Sequence, residues 1–311
     1  MSLRLVFCAP GFKAEPWVRD LAAHFPDATI DVWSADGPST PADYAIVWSP
    51  PDAFYASQPT LKAAFNVGAG VDGLLRSKAL PTALPIVRVE DAGMAPLMAE
   101  YVVQAVVRHT RGLDTSEADM RARKWRTNRS GDRSDYPVGV LGAGALGSVV
   151  ARALVAQRFT VSVWSRSPKR IEGARGYAGA AALDDFLAAT RVLVNLLPLT
   201  PDTEDLLDRA TLSKLIAPAY VVNVARGRHL VDADLLALIA EGHVAGATLD
   251  VFREEPLPAT HPFWDEPRIT LTPHCSAVTQ RTETVAQIAG KIARLQRGEE
   301  ISGVVDRVRG Y

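Results

Sequence analysis

The sequence predicts an α/β protein with doubly wound parallel sheets, arranged in two units. Three observations carry that expectation. Short apolar runs alternate with helical patterns along the whole chain, the signature of strands joined by crossover helices. One of those runs, Val138–Leu141, leads directly into Gly142-Ala143-Gly144-Ala145-Leu146-Gly147 and then into a helical pattern, which marks a Rossmann-type unit. Two long helical patterns, near residues 100 and 285, bracket this second series and suit crossovers between units. A length of 311 residues accommodates two ordinary domains. The boundaries are expected at 1–98 with 280–311 for one domain, and 99–279 for the other.

The elements follow in order. Strands are expected at Leu3–Cys8, Thr29–Val32, Ala45–Trp48, Ala64–Val67 and Ile86–Arg88, with an amphipathic helix at Glu15–Phe25. A long helix is expected from Ala95 to Arg121, then a polar, loop-like stretch from Arg123 to Asp135. The second series gives strands at Val138–Leu141, Thr160–Trp164, Val192–Leu196, Tyr220–Asn223, Ala245–Leu249 and Ile269–Leu271. Helices fall at Ala145–Ala156, Asp184–Ala189, Leu212–Ile216 and Asp232–Glu241, and a last one at Thr279–Arg297.

Composition narrows the function classes. A formal net charge of −1 gives no global attraction for nucleic acid or acidic membrane. The basic segment Arg121, Arg123, Lys124, Arg126, Arg129 and Arg133, with Trp125 among them, reads as a solvated connection or a subunit contact rather than a nucleic-acid surface. Cys8 and Cys275 do not make a disulfide framework, so reduced thiols in a cytoplasm are expected. The opening M-S-L-R-L-V-F-C-A-P-G has too short an apolar run for a signal peptide, and no run is long enough to span a bilayer. Scattered histidines and distant cysteines give no metal-ligand spacing, so no metal is expected.

The glycine turn indicates a dinucleotide. Gly142 permits the tight turn, Gly144 lets backbone approach a pyrophosphate, and Gly147 lets helix and strand pack closely. Ala145 and Leu146 complete the turn, and their backbone opens the helix. An NAD site usually carries an acid at the end of the next strand, about 20 residues past the glycines, to bind the ribose hydroxyls. Here that place holds Trp164-Ser165-Arg166-Ser167 and no acid. Arg166 can clasp a 2′-phosphate, assisted by Ser165, Ser167, Lys169 or Arg170, so NADP(H) is expected over NAD(H); stacking on adenine or a plain surface charge is the other reading of Arg166.

Three side chains downstream suit reduction of a 2-oxo acid. Arg226 can grip a carboxylate with two parallel hydrogen bonds. His274 can deliver a proton near neutral pH, and a carboxylate such as Glu255 can orient such a histidine and favour its charged form. A ketone receiving hydride becomes an alkoxide, which needs a nearby positive charge and a proton.

The phrases that carry these residues are long. N-L-L-P-L-T-P-D-T-E-D-L-L, N-V-A-R-G-R-H-L-V-D, D-V-F-R-E-E-P-L-P and T-P-H-C-S-A, with N-V-G-A-G-V-D at 66–72, resemble the D-isomer-specific 2-hydroxyacid dehydrogenase family. L-G-A-G-A-L-G, E-D-A-G-M, W-S-R-S and V-D-R-V-R-G-Y resemble its glyoxylate/hydroxypyruvate reductase A group over nearly the whole chain. The resemblance implies a flavodoxin-like α/β substrate domain beside the Rossmann-type domain. It implies that Arg226 binds the substrate carboxylate and keto oxygen, that His274 is the general acid, and that Glu255 holds His274. It further implies that the N–H groups of Ala69 and Gly70 receive the carboxylate, that Leu197 and Pro198 lie against the cofactor with Val224 and Ala225, and that Asp250 reaches the nicotinamide side. A local stabilising role is the other reading of Asp250. Trp48 and Met94 either limit the pocket or belong to the core. His229, His243 and His261 read as structural or surface. The activity implied is NADPH-dependent reduction of glyoxylate and hydroxypyruvate by a cytoplasmic homodimer. A bulkier 2-oxo acid is the alternative substrate, and a dinucleotide-sensing binding protein is the alternative class.

Overall fold

The computed structural model describes residues 2–37, 40–127 and 131–311, and the chain forms two compact units, Met1–Gly93 with Thr279–Tyr311, and Met94–Val278. Each is a parallel sheet with helices on both faces, as expected. The unit boundary falls at Gly93/Met94, so residues 94–98 go with the second unit and Thr279 with the first.

The first unit has strands β1 (Arg4–Cys8), β2 (Thr29–Val32), β3 (Tyr44–Val47), β4 (Ala63–Asn66) and β5 (Ile86–Arg88). Its helices are α1 (Ala14–His24), α2 (Asp52–Ser57) and α3 (Asp72–Leu75), and the C-terminal Arg281–Gln296 also belongs to it. The strand order β2-β1-β3-β4-β5, all parallel, is the flavodoxin-like order. Central strands buried on both faces explain runs such as YAIV and AAFN without polar alternation. Leu5, Phe7, Ile46 and Phe65 pack toward Trp17, Leu21, Val285 and Ile288, whereas Val6, Ala45 and Val47 pack toward Phe54, Tyr55 and Leu74.

The second unit opens with helices α4 (Met94–Thr110) and α5 (Leu113–Arg121). The single helix expected from Ala95 to Arg121 is therefore two. Gly112 takes φ +62°, a left-handed conformation that ends α4 and turns the chain. Strands β6 (Val138–Leu141), β7 (Val161–Ser165), β8 (Ala174–Ala178), β9 (Val192–Asn195), β10 (Ala219–Asn223), β11 (Val244–Leu249) and β12 (Ile269–Leu271) follow. Their helices are α6 (Ala145–Ala156), α7 (Leu183–Ala188), α8 (Arg209–Leu212) and α9 (Asp232–Ala240), and the last helix of the chain, Arg281–Gln296, is α10. α8 starts three residues before the expected Leu212 because the Asp208 side chain accepts from Thr211 N–H at 2.8 Å and caps it there. The sheet runs β12-β11-β10-β9-β6-β7-β8, the Rossmann order extended by one strand. β8 escapes the sequence reading because it is an edge strand, ARGYA, paired on one side only and with none of its residues buried. The order reverses between β6 and β9, and ligands of such sheets bind outside the carboxyl ends of the strands at that point.

Among the described part of the basic segment, Arg126 makes a bidentate pair with the buried Asp119, and Arg133 lies 4.6 Å over the Phe159 ring. Arg129 lies outside the described residues. No helix among the described residues is long and apolar enough to cross a membrane.

Candidate active site

The glycine turn sits at the switch point of the second sheet. Gly142 has φ +101°, and a Cβ there would meet the Leu196 carbonyl oxygen at 2.7 Å. At Gly147 an added Cβ would sit 1.9 Å from the Gly142 carbonyl oxygen, so only glycine lets α6 start this close to the turn. Gly144 differs. Nothing lies within 4 Å of its added Cβ, and it is exposed with Ala145 at the start of α6. The turn thus presents open backbone at a helix N-terminus, the arrangement that accepts a pyrophosphate. Leu146 is half-buried and packs on the α4–α6 core.

At the end of β7 the Trp164 indole N–H donates to Gly179 O at 2.9 Å, which turns the ring toward the α7 side of the sheet. The Ser165 hydroxyl donates to Ser167 O at 2.8 Å and shapes the turn. Arg166 and Ser167 are exposed beyond it. No carboxylate stands at this strand end, so nothing in the W-S-R-S turn repels a 2′-phosphate.

Arg226, Glu255 and His274 come from the turns after β10, β11 and β12. His274 Nδ1 lies 2.7 Å from Glu255 Oε2. An ionised carboxylate only accepts, so Nδ1 carries the proton and Nε2 is left for proton transfer. Glu255 Oε1 accepts from Phe252 N–H at 2.9 Å, which fixes the carboxylate from the other side. Burial pushes the Glu255 carboxyl up, but the bonds from His274 and Phe252, with the charges of His274 and Arg226, outweigh it and hold it below the usual carboxylate range. Arg226 thus lies within electrostatic reach of Glu255. Gly227 makes that approach possible: a Cβ there would overlap the Phe252 backbone at 1.8 Å. Arg226 Nη1 also donates to Ala225 O at 2.6 Å, and Val224 and Ala225 are buried beside it.

The His274 turn is held by Asp250, which is fully buried. Asp250 Oδ1 accepts from the Thr272 hydroxyl at 2.5 Å and Cys275 N–H at 2.9 Å, and Oδ2 accepts from Ser276 N–H at 2.9 Å. Its backbone oxygen accepts from His274 N–H at 2.8 Å. The Tyr101 hydroxyl bonds the Thr272 hydroxyl at 2.5 Å, and burial pushes the Tyr101 phenol up to about 12. His274 itself has φ +52°, an uncommon conformation for a non-glycine residue, kept by these bonds. Local support is what these contacts show for Asp250.

In the first unit, Asn66 ends β4, and its Nδ2 donates to Gly68 O at 2.9 Å and Gly70 O at 2.8 Å. The turn that carries Ala69 and Gly70 is therefore gripped from below. The Trp48 ring covers it at Gly68, where an added Cβ would meet the indole at 2.4 Å. Trp48 is half-buried, with the Phe12 ring centroid 6.3 Å away. Met94 is buried in the first turn of α4. Leu197 is buried and Pro198 half-buried in the loop after β9.

Two buried residues were not singled out from the sequence. Asn195 and Asn223 end β9 and β10 side by side, and Asn195 Nδ2 donates to Asn223 Oδ1 at 3.1 Å. Asn195 Oδ1 accepts Leu197 N–H at 3.2 Å, and Asn223 Oδ1 accepts Ala225 N–H at 3.3 Å. The signal for them was an asparagine closing an otherwise apolar strand, as in VLVN and AYVVN.

The glycine turn and the second sheet's order define a dinucleotide-binding fold. The family model described as D-isomer specific 2-hydroxyacid dehydrogenase, NAD binding domain, matches residues 103–276. The chain belongs to the D-isomer specific 2-hydroxyacid dehydrogenase family, and its class is oxidoreductase. Within it the chain is 44% identical to the glyoxylate/hydroxypyruvate reductase A of Yersinia enterocolitica over 314 residues, covering 99% of this chain and 100% of that one. The reductase A of Serratia proteamaculans is 42% identical with the same coverage. Among solved structures, a D-isomer specific 2-hydroxyacid dehydrogenase from Xanthobacter autotrophicus Py2 in complex with NADPH and MES has a TM-score of 0.95 at 37% identity, covering 100% of both chains. The NADPH-dependent glyoxylate/hydroxypyruvate reductase from Sinorhizobium meliloti in complex with NADP and sulfate has a TM-score of 0.93 at 36% identity, again covering 100% of both.

Proposed function

We propose that this enzyme reduces small 2-oxo acids, glyoxylate and hydroxypyruvate foremost, with NADPH as the preferred hydride donor. The observation that carries the reading is the 2.7 Å bond between His274 Nδ1 and Glu255, with Arg226 close enough to act on the same carboxylate electrostatically. The nicotinamide, when bound, supplies the hydride. The chain supplies the rest. Arg226 grips the substrate carboxylate and stabilises the alkoxide as it develops. His274 gives its Nε2 proton to that oxygen, while Glu255 keeps the ring oriented. The N–H groups of Ala69 and Gly70 are further donors to the carboxylate, and Trp48 and Met94 set the room for the group beyond the keto carbon. The Gly142–Gly147 turn and α6 receive the pyrophosphate, the 197–198 and 224–225 turns flank the nicotinamide end, and Asp250 is assigned its amide side. Arg166 with Ser165 and Ser167 holds the 2′-phosphate. The names of the reductase A relatives and of the NADPH complexes support the reading. We place the enzyme in the cytoplasm as a homodimer.

A panel of 2-oxo acids of increasing size, measured as kcat/KM with NADPH and NADH, tests this. Glyoxylate and hydroxypyruvate should lead, and NADPH should exceed NADH. Equal use of both nucleotides would remove the cofactor preference, and a bulky 2-oxo acid at the head of the panel would replace the substrate assignment.

A further inference from the structure

His229 stands in the short 3-10 turn Gly227–His229, directly after the substrate arginine, and is fully buried. Its Nδ1 lies 3.1 Å from the Arg226 carbonyl oxygen, and its Nε2 lies 3.2 Å from the Pro198 carbonyl oxygen. The ring therefore lies between two turns, the one that carries Arg226 and the Leu197–Pro198 loop after β9; a neutral ring donates its single N–H to one of these carbonyls and packs against the other. A second path joins the same two turns. Asn223 Nδ2 donates to the Arg226 carbonyl at 3.0 Å, Asn223 bonds Asn195, and Asn195 accepts the Leu197 N–H. Together they close a ring that passes through Pro198 O, His229, Arg226 O, Asn223, Asn195 and Leu197 N. Asn195, Asn223 and His229 are each 0% exposed. In a dry interior such a network has few alternative arrangements, so a shift of one turn is passed to the other.

We propose that His229 is a positioning residue that ties Arg226 to the Leu197–Pro198 loop, so that dinucleotide and 2-oxo acid strengthen each other's binding through it. The inference rests on the proposed roles of that arginine and that loop. Coupling of this kind is reciprocal and typically about 5-fold or more. Without the imidazole, the loop and the arginine turn keep the asparagine path, and the carbonyl that accepts the ring N–H loses a buried donor.

The test uses oxamate, a non-reducible analogue of a 2-oxo acid, titrated by calorimetry with and without saturating NADPH. In the wild type NADPH should tighten oxamate binding by about 5-fold or more. In His229→Leu that factor should fall clearly below the wild-type value while NADPH alone still binds. His229→Gln, which keeps a donor able to reach one of the two oxygens, should recover part of it. A folded His229→Leu enzyme with a lower Tm but an unchanged factor would show a merely structural histidine and overturn the inference. If His229→Leu does not fold, the factor in His229→Gln decides: an undiminished value overturns the inference. A wild type that reduces 2-oxo acids but shows a factor of one also overturns it, leaving the functional reading intact. A wild type that neither binds oxamate nor reduces any 2-oxo acid overturns the functional reading, and this inference with it.

Discussion

Glu255 meets opposing influences, and their balance sets its charge. Burial favours the neutral acid, whereas His274, the Phe252 N–H and Arg226 favour the carboxylate and prevail. A carboxyl whose folded pKa is depressed stabilises the fold above its unfolded pKa and loses that contribution as pH falls through the folded value. The Glu255–His274 pair should therefore persist through the neutral range and be lost only below the ordinary carboxylate range. Following the wild type and Glu255→Gln by thermal melts from neutral to acid pH checks this: their difference should shrink toward acid. His274→Ala should lower kcat by about 10²–10⁴, the usual size of a lost acid–base catalyst. Arg226→Ala removes charge-assisted hydrogen bonds worth about 1.5–3 kcal/mol each, so steady-state kinetics should show KM raised and kcat lowered together. Arg226, Glu255 and His274 could be singled out because each stands in a long phrase and the three types together suit a 2-oxo acid. His229 could not be, since a single histidine reads as structural or surface until the two carbonyls beside its ring are seen.

Several elements end in the same device. β4, β9 and β10 each close with a buried asparagine whose side chain grips the turn that follows. Asn66→Ala should loosen the Ala69–Gly70 turn, raising KM for a 2-oxo acid more than the dissociation constant of NADPH, as initial rates and a nucleotide titration would show. The glycine turn makes a sharper contrast. Gly147→Ala forces a methyl into the Gly142 carbonyl and should cost stability even without cofactor. Gly144→Ala adds a methyl into open space and should leave the apo melting temperature unchanged while weakening NADPH binding. Apolar runs and the glycine spacing made the central strands and α6 legible, because burial on both faces leaves no other use for such runs. β8 was hidden by its edge position, and the α4–α5 break by a glycine whose left-handed conformation a helical pattern does not reveal.

For the whole molecule, near-neutral charge leaves recognition to local groups, and the proposed NADPH preference puts cofactor choice on the W-S-R-S turn. Arg166→Glu should lower kcat/KM for NADPH far more than for NADH. Leu113, Met120 and Trp125 are exposed in and just after α5, Trp125 at 90%. If that segment joins two copies, Trp125→Asp should shift the sedimentation profile from dimer toward monomer, and an unchanged profile would place the contact elsewhere. The account stands most directly on one measurement: the decay of NADPH absorbance when glyoxylate is added to the wild type and to His274→Ala at equal concentration. Rapid loss with the wild type, slowed by at least about 100-fold in a folded variant, is the predicted result. Equal rates would contradict the assignment of His274, and no loss with the wild type on glyoxylate or hydroxypyruvate would contradict the proposed activity itself.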